Sequence, residues 1–472
     1  MVLVEIDSKA HPNGVNGVKT PFKSAAFHRD LGHEFQKLTR SDGNFVTLED
    51  GRRIFDASGG PSVGAIGWGN RRVIQAVTKQ MMDTAYCASL YYTTQVHEDL
   101  CQHLVDSTNG EMARAYVVNS GSEATEAAVK LARQYFLELN PPQPQRTRFI
   151  NRRQSYHGTT LGALSVSGHS YRRANFEPLL LKNVSSVSPC FEFRGRGASE
   201  SPSEYVERLA KELDDEFQEQ GPENVCAFIA EPVVGAALGC VPSVRGYFQA
   251  MQAVCHKYGA LLILDEVMCG MGRTGTLHAW QQEGVVPDIQ TIGKALGGGY
   301  QPVAGVLASR RVVNVIQRGS SAFVHGHTYQ GHPAGCAAAL EVQRIIREEN
   351  LLQNVRSQGA LLEKLLKELL GGHPNVGNIR GRGLFWGIEF VADKETLRAF
   401  PSDEHVSLQI AELGLGEKYQ IGVYPGAGSV NGLEGDHIIL SPAFNVTSDE
   451  IQWIASNVER LVNDFFAGRI GA

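Results

Sequence analysis

The stretch ALLILDEVMCGMGRTG, residues 260–275, decides the fold class. Its first five residues are an unbroken apolar run, and the run ends on an acid, Asp265. A short run without polar alternation describes a central parallel strand, buried on both faces under helices. Ligands of open α/β sheets lie beyond the carboxyl ends of such strands, which is where Asp265 stands. A carboxylate there is expensive unless it meets a cation. Taken alone, it serves equally well as a cap for the next loop or as a partner for Arg273.

Outward from that strand, residues from about 95 to 310 alternate short β-rich runs with longer helical ones, the pattern of βαβ units. AYVV (115–118), CAFIA (226–230), ALLILD (260–265) and AGVLA (304–308) are candidate strands. SPSEYVERLAKELDDEFQEQ (201–220) and YFQAMQAVCHKYG (247–259) carry apolar residues at helical spacing. NPPQPQ (140–145) and RGRGASESPS (194–203) read as surface loops. A long helical region (333–370) follows, then the strand-like LFWGIEFV and HIILSPAF, then the helix SDEIQWIASNVERLVNDFF. The expected architecture is α/β: a large domain with a mainly parallel sheet flanked by helices, plus a smaller α+β domain from the chain ends. The expected limits are 1–75 for an arm and small-domain segment, 76–335 for the large domain, and 336–472 for the C-terminal small domain. Residues 1 to about 24 read as a loose or docked arm.

The chain has 472 residues, 42% of them hydrophobic and 20% charged. That length suggests roughly three domain-sized units, or one large α/β domain with an appendage. A net charge of −6 supplies no basic field for nucleic acid or an anionic membrane. No stretch approaches the ~18 apolar residues of a membrane span. MVLVEIDSKAHPNGVNG lacks the apolar core of a secretory signal, and GRIGA matches no receptor-read tail. The eight cysteines are scattered without a C-x-x-C, so free, mostly buried thiols and a cytoplasmic location are expected.

Several further segments carry chemistry. AYVVNSGSEATEAAVKLARQYF is a strand, a tight polar turn and a helix whose Ala124, Ala127, Ala128, Leu131 and Tyr135 share one face. Ser120 and Glu123 fit a capping box, and a phosphate at Ser120–Gly121–Ser122 would meet free backbone N–H groups at a helix N-terminus. Tyr156 before His157 and a glycine offers a ring that stacks on another flat ring. In AFIAEPVVG a second strand ends in an acid, Glu231. His325, His327 and His332 are spaced by two and five on a glycine-rich loop, and His157 has no companion at ligand spacing, so no metal is expected. Finally, TIGKALGGGY (291–300) sets Lys294 between an apolar run and glycines, where a buried ammonium is unfavourable. Each segment alone has an ordinary structural reading. Together they ask for one ligand with an anionic phosphate, a flat ring, a basic ring nitrogen and an aldehyde, and pyridoxal 5′-phosphate has all four.

The block LLILDEVMCGMGRTGTLHAWQQEGVVPDIQTIGKALGGGYQPVAGVLAS resembles the signature of class III aminotransferases, which are fold-type-I pyridoxal phosphate enzymes. NSGSEATEAAVKLAR, SYHGTTLGALSVSG, AEPVVG and HGHTYQGHP stand in the family's order, and the likeness runs from about residue 40 to the C-terminus. The resemblance implies that Lys294 is the Schiff-base lysine and that Asp265 keeps the pyridine nitrogen protonated. It implies Val267 on one ring face, Tyr156 on the other, and His157 as a positional rather than catalytic neighbour. Ser120, Gly121 and Ser122 would hold the phosphate, and Glu231 would lie near the ring hydroxyl. Thr328 resembles a threonine that reaches the phosphate of a neighbouring subunit, which implies a homodimer with composite active sites. The reaction implied is ping-pong transfer of an amino group from an amine or amino acid donor to a 2-oxo acid.

One departure stands out. Many members bind a substrate carboxylate with an arginine shortly before the last small-domain strand. Here that region reads IGVYPGAGSVNGLEGDHIILSPAF, with no arginine between Arg398 and Arg460. Either the substrate's reacting end lacks a carboxylate, as in an ω-amine or amino-alcohol, with an ω-amine or hydrophobic amine the expected donor, or another arginine supplies the contact, with Arg172 and Arg173 the candidates. Trp68, Tyr91 and Tyr92 are candidates for an apolar substrate pocket, with core packing the alternative. A racemase or decarboxylase of the same fold shares the lysine, acid and phosphate set and remains the runner-up. A nucleotide-binding reading of GGG fails, because the run lacks both the P-loop ending and the dinucleotide spacing.

Overall fold

The computed structural model describes residues 24–470, so the expected arm over residues 1 to about 24 lies almost wholly outside the described residues. The strand Leu261–Asp265 sits at the centre of a seven-stranded sheet. It runs parallel to Val225–Ala230 on one side and Ile289–Ile292 on the other, and Asp265 is in register with Thr291. Beyond Val225–Ala230 come Arg148–Arg152 and the edge strand Val184–Val187, both parallel. On the other flank Ala304–Ser309 is antiparallel to Ile289–Ile292, and Met112–Val118 closes that edge. Leu261, Leu262, Ile263 and Leu264 are all 0% exposed. At about 1.5–3 kcal/mol per buried aliphatic side chain, this strand is among the strongest fixed points of the sheet.

The local chemistry explains the helices that cover it. Gly121–Glu138 begins at Ser120, whose Oγ accepts from Glu123 N at 3.2 Å while Glu123 Oε2 accepts from Ser120 N at 3.0 Å. Its alanine face, from Ala124 through Ala128 to Leu131 and Tyr135, is buried. Pro202–Gln220 has the same reciprocal cap at Ser201 and Glu204. Such caps satisfy N–H groups that a helix start leaves without partners.

Three sequence expectations need correction. AGVLA is a strand, but the one antiparallel member of this sheet, so it is not part of a βαβ unit. The helical region 333–370 is two helices, Pro333–Glu348 and Leu351–Leu370, parted at Asn350, whose φ of 52° no helix interior tolerates. The 194–203 segment is not simply a surface loop. Arg194 closes the short helix Glu192–Gly195 and its guanidinium reaches the buried Glu389 at 2.5 Å.

Two four-stranded sheets complete the chain. One joins Leu38–Asp42, Phe45–Leu48 and Arg53–Asp56 to Ile421–Gly422, so both chain ends contribute to it. The other orders Val376–Gly381, Trp386–Phe390, Asp436–Leu440 and Tyr424–Gly426. Arg273, one alternative partner for Asp265, instead ties these parts together. Its buried guanidinium donates to the carbonyls of Gly64, Leu384, Ser441 and Pro442, and burial pulls its pKa down to about 9. All eight cysteines are free, six of them buried. Among the described residues no helix is long and apolar enough to cross a membrane, and no metal-ligand cluster forms.

Candidate active site

The carboxyl ends of three neighbouring strands deliver the chemistry to one pocket. Val225–Ala230 is followed by Glu231, Leu261–Asp265 ends on Asp265, and Ile289–Ile292 leads through Gly293 into Lys294. The pocket is lined by these three, by Gly121 and Ser122 from the helix start, by Tyr156, His157 and Gly158, and by Ala236, Val267 and Met268.

Asp265 is held from three directions. Its Oδ1 accepts from Val267 N and from Thr291 Oγ1, each at 3.0 Å. Its Oδ2 lies 2.7 Å from His157 Nδ1. A carboxylate only accepts, so Nδ1 carries the proton, and the other ring nitrogen of this buried histidine has no partner among the described residues. The three donors aim the carboxylate and leave it little rotational freedom.

Lys294 is partly exposed at the pocket floor, in the left-handed region at φ 47°, and follows an extended Gly293. Non-glycine residues pay strain there, about 1–3 kcal/mol, and such outliers gather at functional sites. Burial lowers its pKa from 10.5 to about 8, with Asp265 and Glu231 acting the other way. A large share of this amine is therefore neutral near pH 8, as a nucleophile or base requires. Glu231 takes Tyr156 N at 3.1 Å and Gly235 N at 3.0 Å, and burial raises its carboxyl above the usual range.

The helix start completes the anion side. Gly121 and Ser122 open the helix, where backbone N–H groups lack intrahelical partners. A Cβ on Gly121 would stand 2.7 Å from Val267 Cγ1, so only glycine lets the turn close on that side chain. Ser122 Oγ accepts from Thr159 N at 3.0 Å, fixing the turn that carries Tyr156 and His157.

Other residues fall elsewhere. Ser120 does not line the pocket; its hydroxyl caps the helix by accepting from Glu123 N, with its own proton still available to donate. Trp68 also lies outside the lining, with its indole N–H on Asp56 at 3.1 Å. Tyr91 and Tyr92 are 76% and 70% exposed, near a separate groove around Tyr86 and Cys87. Arg173 is used up: one nitrogen donates to the carbonyls of Leu164, Ser165 and Ser167, another to Glu177. Arg172 lies over the Tyr156 ring at 4.7 Å. Thr328 is exposed and outside the pocket. Thr291, Gly158, Ala236 and Met268 were not singled out from sequence. Only Thr291 carried a signal, as a strand-end hydroxyl three residues before the lysine.

The family model for class III aminotransferases matches residues 27–462. The chain belongs to the class III aminotransferases. It is 53% identical over 418 residues to an aminotransferase of Gibberella zeae, covering 88% of this chain and 82% of that one. It is 44% identical over 449 residues to an uncharacterized aminotransferase of Schizosaccharomyces pombe, covering 95% and 97%. Among solved structures, the omega transaminase of Pseudomonas jessenii in complex with PMP superposes with a TM-score of 0.85 at 30% identity, over 94% of this chain and 96% of that one. The enzyme is thus a fold-type-I transaminase whose cofactor is pyridoxal phosphate. None of these comparisons supports a racemase or decarboxylase.

The residues present fit that cofactor. A class III aminotransferase needs an amine, an oriented carboxylate, an aromatic face and an anion-binding turn. Lys294, Asp265, Tyr156 and the Gly121–Ser122 turn supply one of each around a single pocket.

Proposed function

We propose that this aminotransferase takes an amino group from a primary amine whose reacting end carries no carboxylate, an ω-amine or hydrophobic amine, and passes it to a 2-oxo acid. The observation that carries the reading is the absence of an arginine from its usual place before the last small-domain strand. Residues 399–459 contain no arginine, and Arg173 is consumed by backbone carbonyls. Ala236, Met268 and Val267 give the pocket an apolar share that suits an uncharged donor.

Bound pyridoxal phosphate supplies an aldehyde that takes up the donor nitrogen and a ring that accepts the electron pair of a broken C–H bond. The chain's own residues do the rest. Lys294 Nζ would take the proton released from the amine-bearing carbon and pass it to the cofactor's former aldehyde carbon, and in the second half-reaction it would carry a proton the other way. Asp265, fixed by Val267 N, Thr291 and His157, presents a carboxylate to the ring nitrogen, and His157 acts on it as a positioning residue. Val267 and Tyr156 would hold the ring between them, Glu231 would lie on the side of its hydroxyl, and Gly121 and Ser122 would offer N–H groups to the phosphate.

We assign the working unit as a homodimer with composite sites. Leu90, Tyr91, Tyr92 and Tyr329 are each more than half exposed, Tyr91 meets Tyr92 edge-on, Tyr86 meets Tyr329 edge-on at 6.0 Å, and large exposed apolar groups suit a subunit interface. Thr328 is exposed beside Tyr329 in the chain, and in the proposed dimer it would reach the neighbouring subunit's phosphate site.

A spectral half-reaction screen tests the donor class. Amines without a carboxylate at the reacting end should convert the bound cofactor's visible band, as should the α-amino acid that corresponds to the acceptor, because it runs the acceptor half-reaction backwards. Conversion by α-amino acids alone overturns the reading, and loss of carbon dioxide or of optical activity without amino transfer restores the runner-up.

A further inference from the structure

A transaminase that accepts both an uncharged amine and a 2-oxo acid must hold a carboxylate in one half-reaction and none in the other. Burying that carboxylate without a cation is strongly unfavourable. Arg172 is the guanidinium in the right neighbourhood. It rests 4.7 Å from the centre of the Tyr156 ring, which lines the pocket. No carboxylate or carbonyl among the described residues holds it, in contrast to Arg173 beside it. Its charge also contributes to keeping the Lys294 ammonium below its usual pKa.

The connection that lacks the family's arginine touches the element that carries Arg172. Between the strands Tyr424–Gly426 and Asp436–Leu440, the carbonyls of Gly428 and Ser429 each accept from Gln154 Nε2 at 3.2 Å. A Cβ on Gly432 would lie 3.0 Å from Ser170 Oγ, at the start of the short helix Ser170–Ala174. The loop therefore packs against that helix through glycine, and of the helix's two arginines Arg172 is the one not already held by backbone carbonyls among the described residues.

We propose that Arg172 anchors the carboxylate of the 2-oxo acid acceptor, replacing the arginine that residues 424–436 lack. The proposal rests on the aminotransferase reading with a 2-oxo acid as second substrate. A guanidinium meets a carboxylate through two parallel N–H donors, which fixes the acceptor's orientation as well as its charge. With an uncharged amine in the site, the same guanidinium stays on the Tyr156 face, where the ring supports a cation without a counterion.

The test compares wild-type, R172A, R172K and R29A holoenzymes, since Arg29 is the other arginine whose charge acts on Tyr156. Rapid mixing measures the acceptor half-reaction with pyruvate and with propanal, which lacks the carboxylate. Calorimetry measures binding of propanoate, a carboxylate that cannot react. For R172A the pyruvate-to-propanal preference should fall about 10–100-fold, as expected for one lost charge-assisted contact, and propanoate binding should weaken in parallel. R172K should recover part of the preference and R29A should retain it. An unchanged preference in R172A, equal weakening of both acceptors, or a selective loss in R29A overturns the anchor. The wild-type donor half-reaction separates the two failures. If no amine gives up its amino group, the functional reading falls and takes the anchor with it; if amines react but R172A is not selective, only the anchor falls.

Discussion

Replacing Thr291 by valine isolates what holds the key carboxylate. Thr291 is fully buried at the end of its strand, in register with Asp265, and its Oγ1 donates to Asp265 Oδ1 at 3.0 Å. Valine has the same shape and suits a strand, so the sheet should survive. A hydrogen bond to a charged acceptor contributes about 1.5–3 kcal/mol. Val267 N still reaches the same oxygen at 3.0 Å and His157 still holds Oδ2 at 2.7 Å, so the low end applies. The expected result is about a tenfold weaker Kd for pyridoxal phosphate, read by titrating apoenzyme and following cofactor absorbance. Thermal unfolding of the apo variant should show an intact fold. A Kd equal to wild type would refute the idea that the hydroxyl fixes the carboxylate, and a tenfold change in H157 variants alone would move the whole role to the imidazole.

Other consequences follow from buried charge. Glu389 meets Arg380 at 2.6 Å and Arg194 at 2.5 Å; burial alone would raise its pKa, but the two guanidiniums bring it below 4.5. Because the folded pKa is the lower one, its stabilisation is complete above pH 4.5 and is lost as pH falls through the folded value; E389Q should reduce unfolding free energy at pH 7 by about 3–5 kcal/mol in denaturant titration, since two cations lose their partner. Arg273→Met should cost at least about 3 kcal/mol, because several buried carbonyls lose their donor at once, and a shifted urea midpoint reads it. Apo-enzyme carrying Lys294→Met should be more stable than the apo wild type at pH 7, with the gap full below pH 8 and closing as pH rises toward 10.5, because the folded chain disfavours the charged lysine.

Asp265 was legible because it ends a strand whose composition announces burial, and Lys294 because it stands before a row of glycines in a block that resembles the family signature. The helix at Gly121 was legible through its cap, in which Ser120 Oγ accepts from Glu123 N and keeps its own proton to donate. Arg148–Arg152, Val184–Val187 and Ile289–Ile292 escaped notice since their polar residues mask strand character. In the fold those residues find partners: Arg152 donates to Glu231 O, and Gln290 accepts from Trp280 Nε1 at 3.1 Å. The placement of Trp68, Tyr91, Tyr92 and Arg173 depends on contacts between distant segments, which spacing along the chain does not encode. The direction of Ala304–Ser309 is of the same kind, as an antiparallel strand in a parallel sheet reads like its neighbours.

The most direct measurement is borohydride reduction of the enzyme loaded with pyridoxal phosphate, followed by proteolysis and mass spectrometry. A single cofactor adduct on the peptide containing Lys294, absent in the Lys294→Met variant, is the predicted result. An adduct on another lysine, or none after full loading, contradicts the account at its root.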